Sequence, residues 1–491
     1  MTPEERTFFT RIKLAAFSNP FGKERQRVDL ELTELAAETP NNEILAVLIA
    51  NVTEKIKAVV RKEPRGVSGL TGEDRLLVQY GILFALFHTY CDAYDRLIEE
   101  QIVGGPAPCR VGFAGEVVQK LADFGFPRQE ALRYFALFFQ MRRAFYFINA
   151  IAGRSECIRA LRSSLWDNIF TGDIALYNRY LWNRMEDFST MLLGETGTGK
   201  GLAAAAIGRS GYIPFNEKLG TFSESFAQAF VSINLSEYQE QLIESELFGH
   251  KKGAFTGAIE AHSGIFSRCS PCGAIFLDEI GDVAIPVQIK LLQVLQERIF
   301  TPVGSHKRER FQGRVIAATN KDVGRLRDLG TFRNDFYYRL CSDIIEVPPL
   351  RRRLAEDPRE IDEILGFIVG RILGQPSAEI VRRVGEVLKS CQPKNYTWPG
   401  NVRELEQCVR RILLKNSYEW HRPESADTAA SRIARATENG SMTAQEMLSD
   451  YCRILYDRLG TYEAVARTTQ LDRRTVKKYI ETAREKISTP I

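Results

Sequence analysis

Along residues 1 to about 160 the apolar positions recur at the three-and-four spacing of helices, with little two-residue alternation. The segments Asn42 to Arg61 and Glu73 to Gln101 carry this pattern most clearly and predict a helical N-terminal domain. The run Tyr134 to Ile148 (YFALFFQMRRAFYFI) is apolar on nearly every side, interrupted by Gln140, Arg142 and Arg143. A helix of that kind belongs inside, so core packing is favoured over a ligand pocket or subunit interface. From about 161 to 417, short β-rich runs alternate with helical ones: Thr190 to Leu193, Phe230 to Ile233, Ala274 to Leu277 and Arg314 to Ala318. Short apolar strands separated by helices predict a parallel sheet covered on both faces. Past Leu350 only helical patterning remains, as in a small lid. Residues 421–442 are small and polar and read as a linker, and 443–491 are again helical.

The pattern therefore predicts a multidomain chain. Its parts are an all-α N-terminal domain (1–160), an α/β core (161–350), a helical lid (351–420), a linker (421–442) and an all-α C-terminal domain (443–491). The length of 491 residues agrees, since domains average roughly 150 residues. Net charge is only +4, so any nucleic-acid contact must come from a local basic patch. The opening MTPEERTFFTRIK has no apolar core of a secretory signal, and the most apolar stretch, Gly81 to Phe87, is far shorter than a membrane span. A cytoplasmic protein with no membrane partner is expected. Nine scattered cysteines suit reduced, buried thiols better than a disulfide framework. Cys269-Ser-Pro-Cys272 has metal or redox spacing, but no second pair or histidines complete a site, so packing is expected there.

Chemistry concentrates in the α/β region. An apolar strand leads into Gly194-Glu195-Thr196-Gly197-Thr198-Gly199-Lys200, and a helical run follows. Glycines let backbone N–H groups curl around phosphate oxygens, the helix N-terminus adds its dipole, and Lys200 supplies a cation for the β and γ phosphates. Gly201 stands where most such loops carry a serine or threonine for magnesium. Some eighty residues on, Ala274-Ile-Phe-Leu-Asp278-Glu279 ends an apolar strand in two carboxylates. Asp278 is placed to hold Mg2+ through water, and Glu279 to orient or deprotonate an attacking water. The two motifs together predict an ATPase that uses ATP and Mg2+.

The stretch Glu244-Ser-Glu-Leu-Phe-Gly-His-Lys-Lys-Gly-Ala-Phe-Thr-Gly-Ala258 resembles the signature loop of the bacterial sigma-54-dependent transcription activators, a family of AAA+ ATPases. Similar segments are Gln288 to Glu297, Val315 to Asn320, Phe332 to Leu340, Pro348 to Arg351 and Trp398 to Leu405, so the resemblance runs from about 190 to 417. It implies a homo-oligomeric ring, a hexamer, with ATP between subunits. It also implies that Gly253, Ala254, Phe255, Thr256, Gly257 and Ala258 form the tip of a mobile loop that contacts sigma-54. Arg333 and Arg339 match the arginine fingers that reach a neighbour's γ-phosphate, a role suited to a permanently charged guanidinium. Thr319 and Asn320 match sensor I and Arg403 matches sensor II. Asn234 matches the residue that holds the catalytic glutamate away until the loop is released. Between Ile207 and Asn234 the chain is longer than the family norm, with Tyr212 to Phe230 inserted.

Near the C-terminus, Gly460 to Ile480 resembles the family's Fis-type helix-turn-helix. Val465, Leu471, Val476 and Ile480 supply core contacts, and Asp472 can cap the second helix. Arg473, Arg474, Thr475, Lys477 and Lys478 crowd its first two turns, suiting phosphates and major-groove edges of double-stranded DNA. Gln470 replaces the usual turn glycine, so a strained or altered turn is expected. The N-terminal 160 residues show neither the acidic strand ends nor the later lysine of a receiver domain, and read as a helical sensory or regulatory domain of unknown signal. The reading that results is a sigma-54-dependent activator that binds upstream DNA and remodels sigma-54 RNA polymerase by ATP hydrolysis. Two alternatives stand beside it: a DNA-bound repressor or scaffold with impaired ATPase, to which Gly201 gives a foothold, and an AAA+ DNA remodeller or replication initiator.

Overall fold

Eight helices lead the chain in a computed structural model: α1 (Pro3–Phe17), α2 (Lys23–Thr33), α3 (Asn41–Lys62), α4 (Gly72–Thr89), α5 (Cys91–Gly104), α6 (Ala114–Asp123), α7 (Arg128–Asn149) and α8 (Glu156–Phe170). The structure describes residues 1–36, 38–63, 66–393, 396–418, 420, 433 and 442–485, with backbone alone at 240–241 and 482–485. It divides into two units, Met1–Val387 with Asn395–Asn416, and Leu388–Lys394 with Ser417–Ile491. The first helix starts as its sequence dictates. Pro3 stands at the first position, the Thr2 hydroxyl accepts from Glu5 N at 3.2 Å, and the Glu5 carboxylate accepts from Thr2 N at 2.9 Å. The helical pattern over Glu73 to Gln101 is two helices, α4 and α5, bent by 52° at Tyr90. Among the described residues no single helix is long and apolar enough to cross a membrane.

The α/β core holds a five-stranded parallel sheet in the order β4-β5-β8-β1-β9. These strands are β1 (Thr190–Leu193), β4 (Phe230–Asn234), β5 (Ala274–Asp278), β8 (Arg314–Thr319) and β9 (Asp343–Glu346). Two small antiparallel hairpins lie outside the sheet, β2 (Phe215–Asn216) with β3 (Thr221–Phe222) and β6 (Ile299–Phe300) with β7 (Glu309–Arg310). Alternation along each strand divides the core as a pleated sheet must. Leu192, Ala274, Phe276, Ile316 and Ala318 face one way, into a core that continues without a break into the N-terminal helices. Met191, Ile275, Leu277, Val315 and Ala317 face the other, against the helix Ile285–Glu297. Past β9 come the lid helices Leu350–Glu356, Glu360–Leu373, Ala378–Cys391 and Asn401–Lys415.

The N-terminal helices are seated on the core through α7. Phe139 stacks on Phe222 with ring centroids 4.2 Å apart, and Phe135 meets Phe215 edge-on at 4.9 Å. The inserted segment between Ile207 and Asn234, whose role the sequence left open, thus supplies the hairpin that receives α7. Two of the three polar interruptions of that apolar helix, Gln140 and Arg143, explain themselves here. Gln140 donates to Ser210 O at 2.9 Å and exchanges hydrogen bonds with the Tyr177 hydroxyl. Arg143 is fully buried, donates to Arg209 O at 2.6 Å and Gly211 O at 2.7 Å, and lies over the rings of Phe139 and Phe226. Those carbonyls stand at the C-terminal end of the helix Lys200–Gly208, where a cation also complements the helix dipole.

Two features depart from the sequence reading. The boundary drawn at 160 falls inside α8, which packs on both β9 and the lid helix Leu350–Glu356. The fifth strand, β9, has no counterpart in the sequence pattern, because its four residues are two isoleucines between acidic ends (Asp-Ile-Ile-Glu). The linker at 421–442 lies outside the described residues except for 433 and 442.

The second unit contains the helices Ala444–Leu459, Tyr462–Thr469 and Arg473–Glu485 around Cys452, Leu455, Val465, Val476 and Ile480. Thr443 and Glu446 form a capping box at the first helix. Gln470 adopts a left-handed conformation with φ of 57° and ψ of 24°, so the turn keeps the shape a glycine would give at a modest strain cost. The Asp472 carboxylate caps the last helix, accepting from Arg474 N at 2.8 Å and Thr475 N at 3.1 Å.

Candidate nucleotide site

A cavity of about 450 Å³ opens at the C-terminal ends of β1 and β5, where the phosphate-loop motif and the two carboxylates meet. Lys200, 7% exposed, donates to Gly194 O at 2.9 Å and Glu195 O at 3.3 Å, so its ammonium sits inside the curl of the loop. Gly197 has φ of +81°, and a Cβ there would run into Gly400 O and lie 2.9 Å from the Arg403 Cβ. Only glycine lets the lid rest on the loop this closely. Around Gly201 a Cβ would meet nothing within 4 Å, so the missing hydroxyl has no steric reason.

The lid is fastened to the loop by the Trp398-Pro-Gly-Asn-Val-Arg403 segment. Val402 N donates to Gly197 O at 3.0 Å, and Asn401 Nδ2 donates to Thr196 O at 3.1 Å while its Oδ1 accepts from Leu350 N at 2.7 Å. Arg351 clasps the Glu195 carboxylate with two bonds of 2.7 and 2.5 Å and holds it below the usual carboxylate range. Thr198 turns its hydroxyl back to Glu195 O at 2.8 Å.

Across the cavity, burial raises the Asp278 carboxyl, while the Glu279 amide and the charges of Lys200 and Arg403 oppose that rise. Glu279 takes the left-handed region with φ of 54°, and its Oε2 accepts from Asn320 N at 3.3 Å. Asn320 Nδ2 in turn donates to the Thr196 hydroxyl at 2.8 Å, and Thr319 is buried behind it. Lys200, Asp278, Glu279, Asn234 and Arg403 therefore line one cavity. Asn234 does not bond Glu279 here: its side chain caps Ser236 N at 3.2 Å and donates to Glu237 at 3.0 Å. Arg333 and Arg339 lie outside this cavity. Arg333 pairs with Asp335 at 2.7 Å, and Arg339 donates to Leu295 O at 2.9 and 3.0 Å.

Sequence reasoning missed the other end of the cavity. Ile151, Ala152, Ile158 and Leu161 form an apolar wall with Ile364, Phe367 and Ile368 of the lid. A planar heterocycle fits such a slot, and the phosphate cradle opposite fits a polyanion. The wall is held by a buried clamp. The Glu360 carboxylate accepts from Arg154 N at 3.0 Å, Ser155 N at 2.6 Å and Arg353 Nε, and Arg353 Nη2 donates to Ala152 O at 2.6 Å. Glu356 adds a bond from Cys157 N at 2.7 Å. No motif marks 151–161; their proximity to the loop depends on how α8 folds back.

The segment Gly253 to Ala258 is a surface loop closed by Gly253 N to Ala258 O at 2.8 Å. Phe255 is 37% exposed and rests edge-on against His250 at 4.9 Å, and Thr256 is exposed. In the C-terminal unit Arg473, Arg474, Lys477 and Lys478 are exposed and Thr475 half-buried, with Arg473 paired to Glu463 at 2.9 Å. Cys269 and Cys272 carry thiols pushed up to about 12 by burial, which disfavours the thiolate that redox or metal chemistry needs.

Comparison with known proteins places this geometry. Residues 177–346 match the sigma-54 interaction domain family. The chain is 41% identical to the Nif-specific regulatory protein of Azotobacter vinelandii over 48% of its length and 40% of that protein. It is 42% identical to the hydrogenase transcriptional regulatory protein HoxA of Cupriavidus necator over 48% and 44% respectively. It is 38% identical to the transcriptional regulator NtrC of Azospirillum brasilense over 58% and 57%. The chain thus spans about half the length of the curated relatives it matches. Among solved structures, NtrX from Brucella abortus in complex with ATP aligns over 73% of this chain and 76% of that one, at 20% identity and a TM-score of 0.39.

Proposed function

We propose that this chain, which carries the sigma-54 interaction domain of the bacterial AAA+ transcription activators over residues 177–346, hydrolyses ATP in a homo-oligomeric ring and spends that work on sigma-54 RNA polymerase at promoters. The observation that carries the reading is the convergence of Lys200, Asp278 and Glu279, the last held by the Asn320 amide, on one cavity whose far wall is apolar. Lys200 and the loop amides take the phosphates, and Asp278 is the carboxylate suited to Mg2+. Glu279, held by the Asn320 amide, is positioned to orient water and accept its proton. Swinging Asn234 from Glu237 toward Glu279 would draw that carboxylate off, which suits a switch between waiting and hydrolysing states.

Arg333 and Arg339 lie outside their own chain's cavity, and this supports a role in a neighbour's site. The ring, a hexamer by resemblance, would bring them there. Exposed Phe255 and Thr256 suit a loop that meets sigma-54, and the basic first turns of the helix Arg473–Glu485 suit upstream double-stranded DNA. The intact carboxylates and lysine favour a working ATPase over a scaffold whose ATPase is impaired.

Mixing two inactive variants tests the reading. Glu279→Gln and Arg339→Ala should each lack ATP turnover, and a mixture should regain part of it, because some interfaces then combine an intact Glu279 with an intact neighbouring Arg339. No recovery in the mixture, or full turnover by Glu279→Gln alone, would overturn the assignment.

A further inference from the structure

The inserted segment that seats α7 also borders a second cavity, of about 360 Å³, at the opposite end of the strands from the phosphate loop. Ala274 and Arg314, the first residues of β5 and β8, form its floor. Ile207 and Gly208, at the far end of the helix that follows the loop, form one wall, and Gln140 of α7 reaches another. Three aromatic side chains, Tyr177, Trp182 and Tyr212, also line it, with Trp182 and Tyr212 edge-to-face at 4.7 Å.

Arg314 is the unusual member. Its Nε donates to Phe188 O at 2.8 Å, and its Nη2 donates to Asn168 O at 3.2 Å, Asn168 Oδ1 at 2.8 Å and the Thr190 hydroxyl at 3.1 Å. Every one of these acceptors is neutral. Asp343 gives its carboxylate to Asn168 Nδ2 at 2.6 Å instead. Nη1 has no protein acceptor among the described residues, and burial pulls the guanidinium down to about 10. Buried charges in proteins are normally paired. This one borders a cavity large enough for a small organic molecule and walled by rings.

We propose that this cavity binds a small aromatic monocarboxylate, with its ring against Trp182 and Tyr212 and its carboxylate on Arg314 Nη1. The Gln312 amide lies in the same wall and can share the anion. Glu186, also in the wall, selects against a second negative charge. Such a ligand would touch α7 on one side and the helix Lys200–Gly208 on the other, which gives the N-terminal domain and the phosphate loop a common contact. The proposal concerns binding alone and stands independently of any action on sigma-54.

The test is calorimetric titration of the full chain with benzoate, phenylacetate and indole-3-acetate, each beside its neutral amide. Because Arg314→Gln could fail to fold, the variants are Gln312→Glu at an exposed position, Tyr212→Leu in the wall, and Tyr180→Leu as an exposed control outside it. At least one acid should bind saturably and about ten-fold or more tighter than its amide, the worth of one hydrogen bond to a charged group. Gln312→Glu should weaken it by about that factor, Tyr212→Leu should weaken it by about three-fold or more through the lost ring contact, and Tyr180→Leu should leave it unchanged. No saturable binding by any of the three acids, equal affinity for acid and amide, or binding indifferent to both wall variants would overturn the proposal.

Discussion

Arg143→Met tests whether the N-terminal helices are an integral part of the ATPase unit. The native guanidinium is fully buried and donates to Arg209 O and Gly211 O at 2.6 and 2.7 Å. Methionine keeps the apolar stem but removes every donor, and two buried carbonyls left without partners cost about 1–3 kcal/mol each. Lost stacking on Phe139 and Phe226 adds about 1 kcal/mol. Relief from burying a charge works in the other direction by a few kcal/mol, since desolvating a cation is itself costly. The net expectation is a loss of about 2–4 kcal/mol. Urea unfolding read by tryptophan emission measures it as a lower midpoint at unchanged slope. Arg128→Ala is the control. It removes an exposed ion pair from α7 to Glu217 of the same inserted segment and should change little. A wild-type midpoint for Arg143→Met, or a larger shift for Arg128→Ala, would refute the view that buried donors rather than surface charge hold this interface.

Four further outcomes follow from the geometry. Gly201→Ser enters open space, so it should lower the Mg2+ concentration needed for half-maximal ATP turnover and stabilise the helix by about 0.5 kcal/mol. Gly197→Ala should weaken nucleotide binding in an equilibrium assay, since its methyl collides with Gly400 and forces the lid off the loop. Glu360→Gln breaks a buried carboxylate–guanidinium pair, which costs about 3–5 kcal/mol, and should loosen the 151–158 wall, seen as faster amide exchange there. His88 is held well below its ordinary value of 6.5 by burial, with Arg25 and Arg142 adding to the effect. The unfolded chain then takes up a proton near 6.5 that the folded one refuses. Stability should fall as pH drops below 6.5, by at most about 1.4 kcal/mol per pH unit, and His88→Phe should remove that slope.

Much of the site was legible because phosphate binding constrains contiguous residues. Gly194 to Lys200 form a local loop between a strand and a helix, so a linear motif specifies the geometry. The same holds for Asp278 and Glu279, at the end of a strand whose apolar body fixes its place in the sheet. The apolar wall at 151–161 was not legible, because it is assembled by Glu360 and Arg353 some two hundred residues away. Gln140 and Arg143 read as interruptions of an apolar helix. Only the carbonyls of Ser210, Arg209 and Gly211, brought there by tertiary packing, turn them into the fasteners of the interface. Strand β9 was missed for a different reason: four residues with charged ends carry too little periodicity, and pairing with β1 on one side defines it. Gln470 meets one half of its expectation. A glycine-free turn reads as strained or altered, and the residue keeps the left-handed shape, so strain rather than altered shape is the outcome.

The central claim is that nucleotide chemistry at Lys200, Asp278 and Glu279 drives the Phe255–Thr256 loop against sigma-54. Its most direct test is capture of purified sigma-54 by the full chain in the presence of ADP and metal fluoride, comparing wild type with Thr256→Ala. Capture by the wild type and not by the variant is the predicted result. Failure of both to capture sigma-54 while both still hydrolyse ATP would contradict the account and favour an AAA+ remodeller that acts on DNA.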